Sequence, residues 1–266
     1  MKVGIDAGGS LIKIAYMNQS IIEYRVFDSM ELGVAALWIN EYFQEATICL
    51  TGGKGSHLQS LLKHETKNIV EFDATCRGIQ FLLNLEGAPL ESFILTNVGT
   101  GTSIHFFDSG RHVRVGGTGV GGGTMMGLSL LLTDIEEYNK IVNISKKGNR
   151  DDIDLKVRNI YEGSESPISG DLTASNFGNV QMLKLPSKKE DLLASIIGLV
   201  GETVATTSVL AADSYGTTSI VYIGLSFIHN EILREVVSNY TNLRGASPLF
   251  VRNGEYSGAV GALMSI

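Results

Sequence analysis

The chain has 266 residues, 44% hydrophobic and 18% charged, a globular composition that excludes disordered, coiled-coil and small stapled folds. A net charge of −7 without a basic stripe argues against a nucleic-acid groove or an anionic membrane surface as partner, so any phosphate binding must be local. Cys49 and Cys76 lie in apolar runs and read as reduced core thiols of a cytoplasmic protein, a disulfide between them being the alternative. There is no export signal, no uninterrupted apolar run of ~18 residues, and no metal-ligand spacing among the five histidines.

Taken in order, residues 3–5, 11–16 and 21–27 read as three strands of a meander. A helix over 30–43 carries Val34, Leu37, Trp38 and Tyr42 at helical spacing, and 47–50 is a parallel return strand. A helix near 56–63, a strand near 68–70 and a helix from 73 to 84 complete a β-β-β-α-β-α-β-α order. The order restarts with strands at 93–97, 102–107 and 112–115. Thereafter the glycine-rich stretch 116–127 leads into a helix containing Leu128, Leu131 and Leu132. A long helix over 191–212 carries Leu193, Ile196, Ile197, Val200 and Val204 on one face, a core stripe. Strands at 220–223 and 249–251, a helix around 230–237 and a closing helix at 254–265 end the chain. No linker or low-complexity tract divides it, so the boundary rests on a repeated motif and gives lobes 1–92 and 93–266.

That motif is an apolar run, a glycine-hydroxyl turn and a second apolar run: VGIDAGGSLIKIAY from Val3 and LTNVGTGTSIHFF from Leu95. Each is the sequence form of a β-hairpin whose tip has no bulky side chains, so backbone N–H groups can converge on an anion. In the first copy Asp6 ends the strand before Ala7, Gly8, Gly9 and Ser10, with Lys13 on the outgoing strand. Gly8, Gly9 and Ser10 offer donors to phosphates, and Asp6 is placed to hold magnesium through water. An ordinary tight hairpin with Asp6 bonded to its own turn is the competing reading. In the second copy Asn97 replaces the acid, and Thr100, Gly101, Thr102 and Ser103 form the turn. Two copies predict two lobes gripping a polyphosphate from opposite sides.

GGTGVGGGTMMGL, from Gly116, opens a helix and is expected to present N–H groups and the positive end of the helix dipole to an anion. A loop built for close backbone packing is the alternative. Glu71 stands where a strand passes into a helix that Asp73 is expected to cap, placed to accept a proton from an attacking alcohol or simply to be a solvated helix-start acid. Arg114 can fork onto a carboxylate or phosphoryl group, or form a surface salt bridge. Ser226 follows the buried strand YI and a glycine, a geometry suited to a nucleoside over a strand end, and Tyr138 can cover a base or simply pack.

Together these elements resemble the actin, sugar kinase and heat-shock chaperone ATPase superfamily, and within it type II pantothenate kinases. The motifs that carry the match are VGIDAGGSLIKI, VEFDA, NVGTGTS, RVGGTGVGGGTMMGL, GDLTASNFG, YIGLSF and NGEYSGAVGAL, spread over nearly the whole chain. The resemblance implies a two-lobed α/β actin-like (ribonuclease H-like) fold with a nucleotide cleft between the lobes. It implies ATP-dependent phosphorylation of pantothenate with Glu71 as base and Arg114 beside it. Asp6, Ala7, Gly8, Gly9, Ser10, Leu11, Ile12, Lys13, Thr100, Gly122, Gly123, Thr124, Met125, Met126, Tyr138 and Ser226 match nucleotide-binding positions, with Mg2+ at Asp6. Glu71, Thr100, Ser103, Arg114 and Tyr240 match pantothenate-binding positions, Tyr240 approaching from the partner subunit of a homodimer. Ser10 stands where the family has threonine, and Leu225 where it has a small residue. An N-acetylhexosamine kinase or a partner-activating ATPase would share the ATP machinery.

Overall fold

The computed structural model describes residues 1–19, 21–162, 164–182 and 187–266. Alternating apolar residues build the first meander: β1 (Lys2–Ala7), β2 (Leu11–Asn18) and β3 (Ile21–Asp28) pair antiparallel, with Asp6 opposite Lys13. A 3-10 turn, Ser29–Glu31, capped by Asp28, leads into α1 (Leu32–Tyr42). β4 (Thr47–Thr51) returns parallel to β1, and α2 (Gly55–Leu61), β5 (Thr66–Asn68) and α3 (Glu71–Leu85) follow. The sheet order is β3-β2-β1-β4-β5.

The chain continues through β6 (Ser92–Val98), β7 (Thr102–Asp108), β8 (Arg111–Thr118), α4 (Gly122–Thr133) and α5 (Tyr138–Ser145). Then come β9 (Leu155–Lys156), α6 (Val157–Tyr161), β10 (Thr173–Ser175), α7 (Lys189–Tyr215), β11 (Ser219–Ile223), α8 (Glu231–Leu243), β12 (Ser247–Phe250) and α9 (Ser257–Leu263). The second large sheet runs β12-β11-β6-β7-β8, with β11 parallel to β6, while β9 and β10 form a small antiparallel pair. That pair escapes sequence reading because two or three residues are too few to show a period of two.

The chain divides into two compact units: Met1–Ser92 with Phe107–His112 and Phe250–Ile266, and Phe93–Phe106 with Val113–Leu249. Where the repeated motif set one boundary near residue 92, the chain returns twice to the first unit. In that unit Val3, Ile5, Ala7, Ile48 and Leu50 pack with Leu32, Ala35, Ala36 and Ile39 of α1. α9 lies against both the sheet and α3 at contact distances only glycine permits. A Cβ on Gly4 would stand 2.1 Å from the Ala259 carbonyl oxygen, and one on Gly78 1.9 Å from that of Ser257.

Two expectations need correction. α1 turns Leu32, Ala35, Ala36 and Ile39 inward and leaves Val34, Leu37 and Tyr42 exposed at 54%, 63% and 54%. The bulky residues had the spacing of a core stripe, but the small ones fit the close approach to the sheet. α3 starts at Glu71 rather than 73. Extended Val70 fills the capping position with no side-chain acceptor, and Asp73 instead brings Oδ1 within 3.4 Å of His112 Nε2.

In the second unit all five expected stripe residues of α7 are buried, Leu193 through Val204. α7 is long and apolar enough to cross a membrane, yet 72% of its apolar window is buried inside the protein, which identifies it as a core helix. Cys49 and Cys76 are free, buried thiols.

Candidate functional site

In the first unit the β1–β2 tip is tied back on itself. The Gly8 N–H donates to the Leu11 carbonyl at 3.0 Å, so this expected phosphate donor closes the turn instead. Ser29 donates its N–H to the Ser10 carbonyl (3.0 Å) and its Oγ to that of Gly8 (2.6 Å). The Lys54 N–H donates to the Ala7 carbonyl at 2.8 Å, and its Nζ reaches the Ser29 carbonyl at 3.2 Å. Gly9 and Ser10 stay exposed, and among the described residues no backbone acceptor takes their N–H groups. Ala7 and Ile12 are fully buried, so their side chains frame the hairpin rather than line a site, and Leu11 is half-buried.

Asp6 is the unusual group. Its side chain is 14% exposed, with Oδ2 3.9 Å from Lys13 Nζ, and Oδ1 is buried without a hydrogen-bond partner. Thr51, beside Asp6 in the parallel β1/β4 register, likewise buries Oγ1 without a partner. Gly52, at φ +90°, bends the chain under the carboxylate, where a Cβ would lie 2.7 Å from Asp6 Oδ1. Burial raises the Asp6 pKa against the opposing charge of Lys13. Glu71 opens α3 at the surface, and its pKa is raised first by partial desolvation and then by the Asp6 charge, with Lys13 again opposing. Asp6, Lys13 and Glu71 thus form one electrostatic cluster.

A hydrated magnesium ion fits this chemistry, because it takes few direct protein ligands and an orphaned carboxylate oxygen beside an orphaned hydroxyl supplies them. Among the described residues no group of three or more His, Cys, Asp or Glu makes a denser metal site. A raised carboxylate pKa means the ionised form costs stability, a cost absent below the ordinary aspartate range and growing as pH rises through the shifted value. Asp6→Asn is therefore expected to raise the Tm of the ligand-free protein, by about 2–4 °C per kcal/mol relieved, while weakening magnesium nucleotide binding. Parallel thermal melts and nucleotide titrations check this, and a lowered Tm would contradict it.

In the second unit the β6–β7 hairpin and the glycine-rich segment are bonded to each other. The N–H groups of Gly122 and Gly123 donate to the Gly99 and Thr100 carbonyls, both at 2.8 Å, and Thr102 Oγ1 donates to the Val120 carbonyl at 2.8 Å. Gly122 and Gly123 were expected to aim these donors at an anion, but they hold the hairpin instead. A Cβ on Gly122 would come within 2.6 Å of Ser226 Oγ, which itself donates to the Gly99 carbonyl at 3.3 Å. Close packing thus explains the glycines. Thr124 caps the helix start locally, exchanging bonds with Gly121 and Gly119. Met125 is buried and Met126 half-buried.

Tyr138 and Ser226 do meet: the Tyr138 hydroxyl donates to the Ser226 carbonyl at 2.7 Å. Asn230, which sequence reading missed, is fully buried, caps α8 through Oδ1 and donates Nδ2 to the Tyr138 hydroxyl at 3.2 Å. Its N-cap position four residues after Ser226 was the available signal. Arg114 is exposed and has no carboxylate partner among the described residues, so the surface salt bridge is not formed. Its guanidinium runs beside Gly117, next to the Ser103 backbone, which brings Arg114 and Ser103 together. Thr100 is exposed at the tip. Tyr240 stands apart, lining a cavity of about 670 Å³ with Thr173, Glu202, Thr203 and Arg244 and with none of the other expected site residues.

The backbone is similar to that of the activator of the 2-hydroxyisocaproyl-CoA dehydratase from Clostridium difficile with bound ADPNP. The TM-score is 0.65 at 15% identity, over 99% of this chain and 93% of that one. A ROK family glucokinase from Streptomyces griseus, in complex with glucose and AMPPNP, matches at 0.58 and 11% identity over 99% and 98%. The class is thus the actin-like ATPase and sugar kinase fold, and at these identities the likeness extends to the fold alone. Residues 85–265 match the Fumble family. A type II pantothenate kinase of Staphylococcus epidermidis is 46% identical over 264 residues, 99% of both chains. One of Bacillus thuringiensis is 43% identical over 265 residues, 98% of this chain and 96% of its own. The chain belongs to the type II pantothenate kinase family.

Proposed function

We infer that the chain phosphorylates the primary hydroxyl of pantothenate with ATP, the opening step of coenzyme A synthesis. The observation that carries this is the 46% identity with a type II pantothenate kinase across 99% of both chains. The Asp6, Lys13 and Glu71 cluster supplies a chemistry that suits it.

In this reading Glu71 accepts the proton of the attacking hydroxyl, its pKa raised by desolvation and the Asp6 charge so that it is a better base than an ordinary carboxylate. Gly9, Ser10, Lys13 and Thr100 are the groups that serve the phosphates of the nucleotide. Magnesium, held by Asp6 and Thr51, supplies charge neutralisation on those phosphates. Tyr138 and Ser226 meet the nucleoside, and Ser103 and Arg114 orient pantothenate, Arg114 as an unpaired fork for its carboxylate or the moving phosphoryl group.

The protein acts in the cytoplasm and as a homodimer, the dimer being supported by the exposed leucines of α4, Leu130, Leu131 and Leu132, at 46%, 78% and 47%. A dimer also gives Tyr240 a role, since within its own chain it lines a separate cavity. ADP release is expected only when magnesium, ATP and pantothenate are all present. Equal release without pantothenate, or release that depends on a partner protein instead, would overturn this function.

A further inference from the structure

A well-connected polar cluster of the second unit lies under the Tyr240 cavity, and only its Thr173 and Asn176 fall in a motif, GDLTASNFG. Arg150 donates Nε to Asp154 Oδ2 at 2.9 Å and pairs through Nη2 with Glu202 Oε1. Its guanidinium crosses α7 where Gly198 leaves room, since a Cβ there would lie 2.1 Å from Cζ. Glu202 is 9% exposed in its side chain and grips β10 and the residue after it: Oε1 accepts from Thr173 Oγ1 at 2.8 Å, and Oε2 from Asn176 Nδ2 at 3.0 Å. Lys156 Nζ donates to the same Thr173 hydroxyl at 2.9 Å. Asp154 fixes the far end of the segment, with Oδ1 accepting the Phe177 N–H at 2.9 Å. Thr173, so anchored, donates its own N–H to the Tyr240 hydroxyl at 3.1 Å.

We propose that Glu202, held by Arg150, is a positioning residue that sets Tyr240 for pantothenate through Thr173. Paired buried charges with each oxygen occupied resist displacement, because breaking one contact leaves a charge unsatisfied in a dry place. The β10 segment therefore has one arrangement, and the Tyr240 hydroxyl one location. Burial alone would push the Glu202 pKa up, but the Arg150 charge and the bonds from Arg150, Asn176 and Thr173 outweigh it and hold the pKa below its ordinary value, consistent with a permanently ionised anchor.

The proposal rests on the reading of Tyr240 as a pantothenate contact, and four single variants and one double variant of the full chain separate the two. Tyr240→Phe is expected to raise the pantothenate KM about tenfold through loss of one hydroxyl contact. Glu202→Gln and Thr173→Val are expected to raise it comparably, with kcat and the ATP KM within about twofold of wild type, while Thr173→Ser, which keeps the hydroxyl, stays near wild type. Combining Glu202→Gln with Tyr240→Phe should add little beyond Tyr240→Phe alone, because both changes act on one contact. If Tyr240→Phe leaves KM unchanged, the Tyr240 reading falls. If Tyr240→Phe raises KM but Thr173→Val does not, the positioning role falls. Should Glu202→Gln fail to fold, Thr173→Val decides, since it leaves the Arg150–Glu202 pair intact. Loss of kcat and ATP affinity in step with pantothenate KM would mark the cluster as structural only.

Discussion

Glu71→Gln is expected to fold as the wild type does, to bind magnesium nucleotide with near-normal affinity, and to lose about 10²- to 10⁴-fold in kcat. The amide is isosteric with the acid, and position 71 is solvent-exposed at the first turn of α3, so packing hardly changes. What disappears is the acceptor for the hydroxyl proton. Positioning and electrostatics supply the larger part of catalysis in phosphoryl transfer, so a residual rate should persist. The pH profile gives an independent check. Desolvation and the Asp6 charge raise the Glu71 pKa, and the active form is the ionised one, so kcat/KM should fall as pH drops through a value above the ordinary glutamate range. In Glu71→Gln that acid limb should be missing. Near-normal kcat in the variant, or an acid limb that survives it, would remove Glu71 as the base.

Gly78→Ala is expected to be among the most damaging single-methyl changes in the first unit. The added carbon would meet the Ser257 carbonyl oxygen at 1.9 Å and the Gly261 nitrogen at 2.9 Å, and backbone atoms cannot rotate aside as a side-chain tip can. Either α3 or α9 must move. Overpacking of this kind costs about 3 kcal/mol or more, which for a protein of this size lowers Tm by roughly 6–12 °C. Function suffers with it, because α9 brings Gly258 against Asp6, where even a Cβ would stand 2.8 Å from Oδ2. Gly33→Ala is the control. Gly33 is an exposed position in α1 with no atom within 4 Å of the new carbon, and alanine there should stabilise by about 0.5–1 kcal/mol. Thermal melts that show the two variants alike would contradict the account of how α9 is seated.

Much of this was legible in the sequence, for reasons that particular residues make plain. The two glycine hairpins, the α7 stripe and the strand before Ser226 are local patterns, set by periods of 2 and 3.6 and by turn chemistry that a single chain displays. The link between Asp6 and Glu71 is not local, and was reached through the family resemblance. What stayed hidden depends on contacts between distant segments. The donors of Gly8, Gly122 and Gly123 looked available because a sequence does not show which carbonyl will meet them, and the hairpin tips proved to use them internally. Small residues hid the inner face of α1, where alanine rather than leucine fits. The Arg150, Asp154 and Glu202 cluster joins residues up to 52 positions apart with no periodicity between them. Thr51 read only as the first residue of a turn with Gly52 and Gly53, although its orphaned hydroxyl beside Asp6 makes it part of the same site.

Acceptor choice separates this chain from sugar kinases and activating ATPases that share its fold. The direct measurement is a one-pot competition with limiting magnesium ATP, equimolar pantothenate and N-acetylglucosamine, and mass-spectrometric reading of the products. Phosphate should appear on pantothenate alone, matched mole for mole by ADP. Phosphorylated sugar, or ADP with neither acceptor modified, would contradict it.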